Sequence, residues 1–269
     1  MTNLLKTEWL KLKKYWAFWW MTGIVALAYP GMNYSIYYNG YKDQLKDKNW
    51  GPILKMLPNP FTFPDVWQTV AFISSLFVFI PSIVVIMFIT NEYTFKTHRQ
   101  NVIDGWSRKD FMTSKMIDVA IISLLVTVLY FITATIIGLD NSTNPSGNFW
   151  KGSQYIGLFF LQVFSQLSIA LLISLLVRKA FIALGIFIFY FFPLEPILVQ
   201  LGKRYANDAG KFLPLEISDR LIPAPRFFFR QQSEWDALVA QSNIHILYTV
   251  LLLAITWGIC FWINAKRDL

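Results

Sequence analysis

The sequence is short of the groups from which most active sites are built. It has one cysteine, Cys260, so neither an intrachain disulfide nor a cysteine-based metal cluster can form. Its two histidines, His98 and His245, stand about 150 positions apart, which leaves imidazole catalysis and zinc coordination little to build on. No G-x-x-x-x-G-K-[ST] phosphate loop and no H-E-x-x-H occur, so the usual apparatus of nucleotide hydrolysis and of zinc proteolysis is missing. Repeats and low-complexity tracts are absent as well. No cleavable signal peptide is evident, because MTNLLKTEWLKLKKYW is too polar for a signal's apolar region and bulky WAFWW follows it. Charge is scarce too: 15% of residues are charged, where soluble domains carry roughly 25%.

What the sequence has instead is apolar blocks, which hold most of its 55% hydrophobic residues. Six stand out: 17–38, 67–90, 116–139, 155–177, 180–199 and 244–264. Each is about 20 residues, enough for a helix to cross a ~30 Å hydrocarbon layer. Helix is the expected form because backbone polar groups in lipid must be satisfied within their own segment. The expected fold class is an all-α integral membrane protein with six transmembrane helices, the whole of 1–269 forming one transmembrane domain. PLEP at Pro193–Pro196 interrupts the outer end of the fifth block.

Within the blocks the acidic or imidazole groups are Asp118, Glu195 and His245, and there is no Lys or Arg. Asp118 follows Lys115 by one helical turn, which reads as an i, i+3 ion pair with a snorkelling lysine. An intramembrane acid is a functional candidate by default. Glu195 therefore has two readings: a helix break where the acid meets water, or a residue lining an outer gate. His245 opens the sixth block and reads as an interface residue, and Cys260 as a small packing residue.

A formal charge of +8 invites a nucleic-acid reading. The lysines and arginines, however, sit at the ends of apolar runs, where bilayer topology places them. The expected partner is the lipid bilayer, not nucleic acid. Short segments on one side hold Lys6, Lys11, Lys13, Lys14, Lys96, Arg99, Arg108, Lys109, Lys115, Arg178, Lys179, Lys266 and Arg267. The other basic residues are spread mostly over two long loops, which count less. This makes the first side cytoplasmic and, with an even number of spans, puts both termini there. The expected location is the cell membrane, the inner membrane of a bacterium.

Residues 1–16 are amphipathic. Leu5, Trp9, Leu12 and Trp16 share one helical face while the lysines point elsewhere. A helix lying in the inner interface is the expectation; the alternative is a plain cytoplasmic extension of the first span. Outside, 40–65 is a proline-bearing loop, and 200–243 is a longer external loop with LIPAPRFFFRQ at its middle. That motif reads either as a surface touching lipid headgroups or as packing within the loop.

The polar stretch 91–115, NEYTFKTHRQNVIDGWSRKDFMTSK, is more patterned than a simple hairpin requires. Phe95, His98, Val102 and Gly105 follow Glu92 at near-helical spacing, with Ile103 and Trp106 on an adjoining stripe and Lys96, Arg99 and Gln100 on more polar faces. Gly105 suits a helix stop, since glycine adopts the left-handed conformation without a Cβ penalty. Ser107 with Asp110 three positions on forms a capping-box variant that opens the next helix at Arg108. The stretch thus reads as a span leaving the membrane, a short cytoplasmic helix, a sharp turn and a capped re-entry. Such a stiff helix held between two spans can transmit force. The bland alternative is a solvated, positive-inside loop.

The residues Glu92-Tyr-Thr-Phe95, Thr97, Gly105-Trp-Ser107-Arg108, Phe111 and Lys115 resemble the ABC type-2 transporter permease family. There a glutamate ends the second span and a G-x-S-R motif precedes the third. The amphipathic N-terminus, six spans and long loop before the last span resemble that family as well. One departure is Lys96, where family members often carry glycine. The resemblance implies a membrane permease of an exporter, paired with a second permease subunit, identical or related, and with two copies of a separate ABC ATPase subunit. ATP and Mg would then be bound by that partner and no cofactor by this chain. It implies that Phe95, His98, Arg99, Val102 and Trp106 face the ATPase and that Glu92 fixes the helix end, 91–106 serving as the coupling helix. This chain would be a transport subunit and not an enzyme.

Two other classes share the topology. A membrane-embedded lipid-modifying enzyme needs convergent catalytic groups, which three scattered polar residues do not supply. A noncatalytic membrane scaffold or assembly factor has no need of a capped cytoplasmic helix.

Overall fold

The computed structural model describes residues 13, 16–49, 51–56, 58–97, 103, 107–142, 145–228 and 232–266. Among them the fold is helical, with no strand. Helix α1 is Trp16–Ser35 and passes into a π-helical turn, Ile36–Lys42. After the short α2 (Gly51–Met56) come α3 (Val66–Ser75), α4 (Phe79–Thr94), α5 (Arg108–Asn141) and α6 (Gln154–Val177). Helix α7 (Ala180–Phe189) continues through a π-helical turn at Tyr190–Leu194 into α8 (Glu195–Tyr205). The chain closes with α9 (Pro214–Asp219) and the 35-residue α10 (Gln232–Lys266).

Four stretches are long and apolar enough to cross a membrane: Arg108–Asn141, Gln154–Val177, Ala180–Tyr205 and Trp235–Lys266. The pair α3 and α4 makes a fifth if taken as one span, bent by 48°. Six spans were expected, and the described residues hold four or five. The first expected span, 17–38, coincides with α1, whose length is adequate but whose many Trp, Tyr, Gly, Asn and Ser residues dilute its aliphatic content. The interfacial helix expected over 1–16 lies outside the described residues, apart from Lys13 and Trp16.

The second expected span is not straight, and Pro81 is the physical reason. Proline offers no N–H to the fourth carbonyl back and its ring collides with that carbonyl. The chain meanwhile tightens to i→i−3 bonds: Leu76 to Ile73, Phe77 to Ser74, Val78 to Ser75 and Ile80 to Phe77, at 3.1–3.3 Å. Polar side chains gather around the bend. Buried Asn33 of α1 donates to Ser74 Oγ at 3.0 Å, and Ser82 returns its hydroxyl to Val78 O at 2.9 Å.

Helix α6 is the hub, packing against α3, α4, α5, α7, α9 and α10. Its central place explains why Gln162, Ser165, Gln166, Ser168 and Ser174 are all buried. Hydroxyls at such positions bond back to their own helix, as Ser174 does to Ala170 O at 2.7 Å. A second knot forms around Trp67, fully buried at the head of α3. Its indole donates to Phe149 O at 2.7 Å, and Tyr130 of α5 donates to the Trp67 carbonyl at 2.8 Å. The rings of Phe63, Phe131 and Phe149 surround it with centroids 5.4–5.5 Å away, a range in which aromatic pairs add stability beyond burial.

Helices α5 and α10 are about 50 Å long at 1.5 Å per residue, well beyond the hydrocarbon layer. Part of the segment expected as the external loop 200–243 is accordingly helix. Helix α8 runs on to Tyr205, α9 lies within the segment, and α10 begins at Gln232.

Candidate coupling site

At the end of the bundle that carries Lys96, Arg108, Arg178 and Lys266, four chain segments meet. Helix α4 brings Glu92 in its last turn, and α5 brings Lys115 and Asp118 from its second and third turns. Lys115 Nζ lies 2.8 Å from Glu92 Oε1 and 3.1 Å from Asp118 Oδ2. The three side chains are 0%, 6% and 3% exposed. The ammonium also sits over the rings of Phe88, at 4.8 Å, and Phe111, at 5.5 Å, which adds cation–π attraction where water is excluded. The expected Lys115–Asp118 pair is therefore present, but the lysine is buried and does not snorkel.

Link by link, the surrounding contacts fix this corner. Ser107 opens α5 with a complete capping box: Ser107 Oγ accepts from Asp110 N at 3.1 Å, and Asp110 Oδ2 accepts from Ser107 N at 3.1 Å. Arg108 Nη1 donates to Ala265 O at 2.6 Å, and Asn264 Nδ2 donates to Arg108 O at 2.7 Å. These two bonds tie the start of α5 to the end of α10. The Arg178 guanidinium, from the turn between α6 and α7, lies 4.9 Å from the centre of the Tyr93 ring, next to Glu92.

The chain leaves this knot at Phe95, which is 71% exposed. Lys96 then takes φ +55°, in the left-handed region. Left-handed backbone costs a residue with a Cβ roughly 1–2 kcal/mol. Thr97 Oγ1 returns to Glu92 O at 3.4 Å. His98, Arg99, Val102, Gly105 and Trp106 lie outside the described residues; Ile103 is helical and exposed. Of the expected site residues, the structure thus gathers Glu92, Ser107, Arg108 and Asp110 into one corner and leaves Phe95 facing outward beside it.

Glu195 lies far from this corner in the chain, and it is buried at 3% exposure instead of meeting water. Its Oε1 accepts from the backbone N–H groups of Leu215 at 2.8 Å and Glu216 at 2.7 Å. It caps the six-residue α9, which carries no side-chain cap of its own. His245 is buried too, its ring edge-on to Tyr248. Among the described residues, no group of three or more His, Cys, Asp and Glu side chains could hold a metal ion.

The Lys115–Glu92 link was not read from the sequence. The signal that could have found it is a lysine abutting the start of one apolar block, at Lys115 before Met116, with an acid two residues past the end of the preceding block, at Glu92. A charge buried at such a boundary needs a partner.

A search of curated proteins finds no match to this chain. The sequence model described as "ABC-2 family transporter protein" matches residues 4–194, which takes in α1 to α7 and the whole Glu92–Lys115–Asp118 corner. With more than two thirds of its length so matched, the chain belongs to the ABC-2 transporter family and is a multi-pass membrane permease of an ABC transporter.

Proposed function

We propose that this permease is an exporter subunit driven by a separate ATPase, which grips the segment 91–106. One observation carries the reading. The charged network of Glu92, Lys115 and Asp118, with the Ser107 capping box and the Arg108–Ala265 bond, anchors both ends of that segment to α4, α5 and α10. A segment so anchored passes a push to three helices at once, where a floppy loop would absorb it. In this reading Phe95, His98, Arg99, Val102 and Trp106 contact the ATPase, Glu92 holds the helix end, and the partner binds ATP and Mg. The basic end is cytoplasmic, α1 is the first of six spans behind an interfacial helix at 1–16, and two permease subunits work with two ATPase copies in the cell membrane. Closure of the ATPase pair then rocks the two permease halves.

The test is purification of the full chain from its native membrane in a gentle detergent. An ATPase should co-elute with the wild type and be lost with Arg99→Glu or Trp106→Ala, while the permease remains folded. Retention of the ATPase by both variants would overturn the docking assignment.

Glu195 takes part in outer gating in this reading, through the negative charge it places at the head of α9. Glu195→Gln should impair transport while leaving assembly intact, and unaltered transport rules the gate out.

A further inference from the structure

At the end of the bundle opposite the basic corner, the chain following α1, the head of α3 and two connecting segments enclose a cavity of about 340 Å³. Two stripes at helical spacing line it: Ile36, Gly40 and Gln44 after α1, and Thr69, Phe72, Ile73 and Leu76 on α3. Leu54, Pro58, Pro60 and Phe61 close one side, and Pro225 and Phe228 close another. The last two belong to the LIPAPRFFFRQ motif, which Gln68 of α3 fastens by donating to Pro223 O at 2.9 Å. This part of the motif therefore packs against α3. Two ring pairs stand in the wall, Tyr41 with Phe61 at 5.1 Å between centroids and Phe72 with Phe228 at 6.0 Å. Ile36, Gln44, Leu76 and Phe228 are exposed and form the mouth, while Phe61, Thr69 and Ile73 are buried at the base. Among the described residues, none that lines the cavity carries a charge.

Thr69 is 1% exposed, and its hydroxyl has no hydrogen-bond partner among the described residues. Buried threonines elsewhere in the helices return theirs to the fourth carbonyl back: Thr90 to Ile86, Thr127 to Ser123, Thr133 to Leu129 and Thr249 to His245, at 2.7–2.8 Å. Thr69 forgoes that bond and presents an unpaired hydroxyl in an otherwise apolar wall. A buried hydroxyl without a partner lowers stability, and a ligand that supplies one removes the deficit.

We propose that this cavity binds a neutral, ring-bearing small molecule with one hydroxyl, of the phenol class, its hydroxyl paired with Thr69 Oγ1. The uncharged lining requires neutrality, since a charge buried there would go uncompensated. A hydroxyl both donates and accepts, so it can answer another hydroxyl in either sense. The two ring pairs favour a flat aromatic body, because rings 4.5–7 Å apart attract beyond their buried area. A lipid acyl chain could fill the same space but carries nothing at its tip for Thr69. An apolar cavity of about 150 Å³ takes up benzene, so this one has room for two fused rings.

The experiment uses the full chain in nanodiscs of phosphatidylcholine, without nucleotide, so its outcome does not depend on which protein drives the permease. At pH 7, 2-naphthol, naphthalene, 1-octanol and 2-naphthoate are titrated calorimetrically, with protein-free nanodiscs as the blank for partitioning into lipid. Wild type should bind 2-naphthol saturably and naphthalene about fivefold to tenfold more weakly, the difference that one hydrogen bond makes. Thr69→Val should weaken 2-naphthol by the same factor and leave naphthalene unchanged. Leu76→Trp, at an exposed position, narrows the mouth and should weaken both about tenfold. Octanol and 2-naphthoate should bind at least tenfold more weakly than 2-naphthol. Without ligand, Thr69→Val should melt no lower than wild type, since it loses no hydrogen bond. The proposal is overturned if wild type shows no saturable binding of 2-naphthol, or if Thr69→Val binds it as well as wild type does. Octanol binding as tightly as 2-naphthol would assign the cavity to an aliphatic chain and overturn it too, as would equal binding of 2-naphthoate. A lower melting temperature of unliganded Thr69→Val would mean that the hydroxyl is already bonded, and would overturn it as well.

Discussion

Lys115→Met replaces the ammonium by an apolar group of similar length and leaves Glu92 and Asp118 facing each other. In the wild type Nζ is 2.8 and 3.1 Å from the two carboxylate oxygens. At an effective dielectric constant near 20 these contacts correspond to roughly 6 and 5 kcal/mol of attraction before desolvation is charged against them. The two oxygens lie on the same nitrogen and so are at most about 6 Å apart; in the variant they repel by at least about 3 kcal/mol on the same basis. Removing one partner of a buried ion pair typically costs about 3–5 kcal/mol, because a buried charge is left uncompensated. Lys115→Met should therefore lower stability by about that amount, whereas Lys109→Met, at an exposed position on the same helix, should change it by less than about 0.5 kcal/mol. Denaturant titration of tryptophan fluorescence in detergent reads both. The triple variant Lys115→Met, Glu92→Gln, Asp118→Asn carries no charge at these three positions and should recover most of the loss, since a buried ionic group replaced as a set is often neutral. Equal stability of Lys115→Met and Lys109→Met would refute the reasoning, as would a triple variant worse than the single.

Lys96→Gly removes the left-handed Cβ penalty and should stabilise the 92–97 turn by about 1 kcal/mol, while Lys96→Val should destabilise it; proteolysis rates at this turn distinguish the two. Ser107→Ala removes the capping box at the head of α5 and should cost about 1 kcal/mol, with Ser107→Asn restoring most of it, read as hydrogen exchange of the amides of 108–111. Glu195→Ala strips two backbone N–H groups of their acceptor and should speed hydrogen exchange at Leu215 and Glu216 more than Glu195→Gln does, since the amide oxygen of glutamine can still accept.

Local chemistry was the legible part of this molecule. Block edges predicted α6 almost to the residue because Arg178 and Lys179 stop it abruptly, and the Ser107 cap is a four-residue pattern complete in itself. The bend between α3 and α4 escaped notice because the apolar run is continuous through it, and Pro81 acts by what it does to a carbonyl one turn earlier. The depth of Lys115 was likewise hidden: whether a lysine near a helix end snorkels or is buried depends on its neighbours, here Glu92 and the rings of Phe88 and Phe111. Residues 200–243 read as loop because they are polar, and α9 has only six residues and draws its cap from Glu195, about 20 positions away. Gln162 and Gln166 meet Asp219 at the end of α9 across more than 50 positions of chain, a contact that no local pattern signals.

The central claim is that force from a separate ATPase enters through the corner built on Glu92 and Lys115. A photo-crosslinking side chain placed at exposed Phe95 or Ile103 tests it directly, with no knowledge of the substrate. The account predicts that both positions capture a nucleotide-binding protein in the native membrane and that a probe at Phe228 does not. Capture from Phe228 with none from Phe95 or Ile103, or ATP hydrolysis by the purified chain alone, would contradict it.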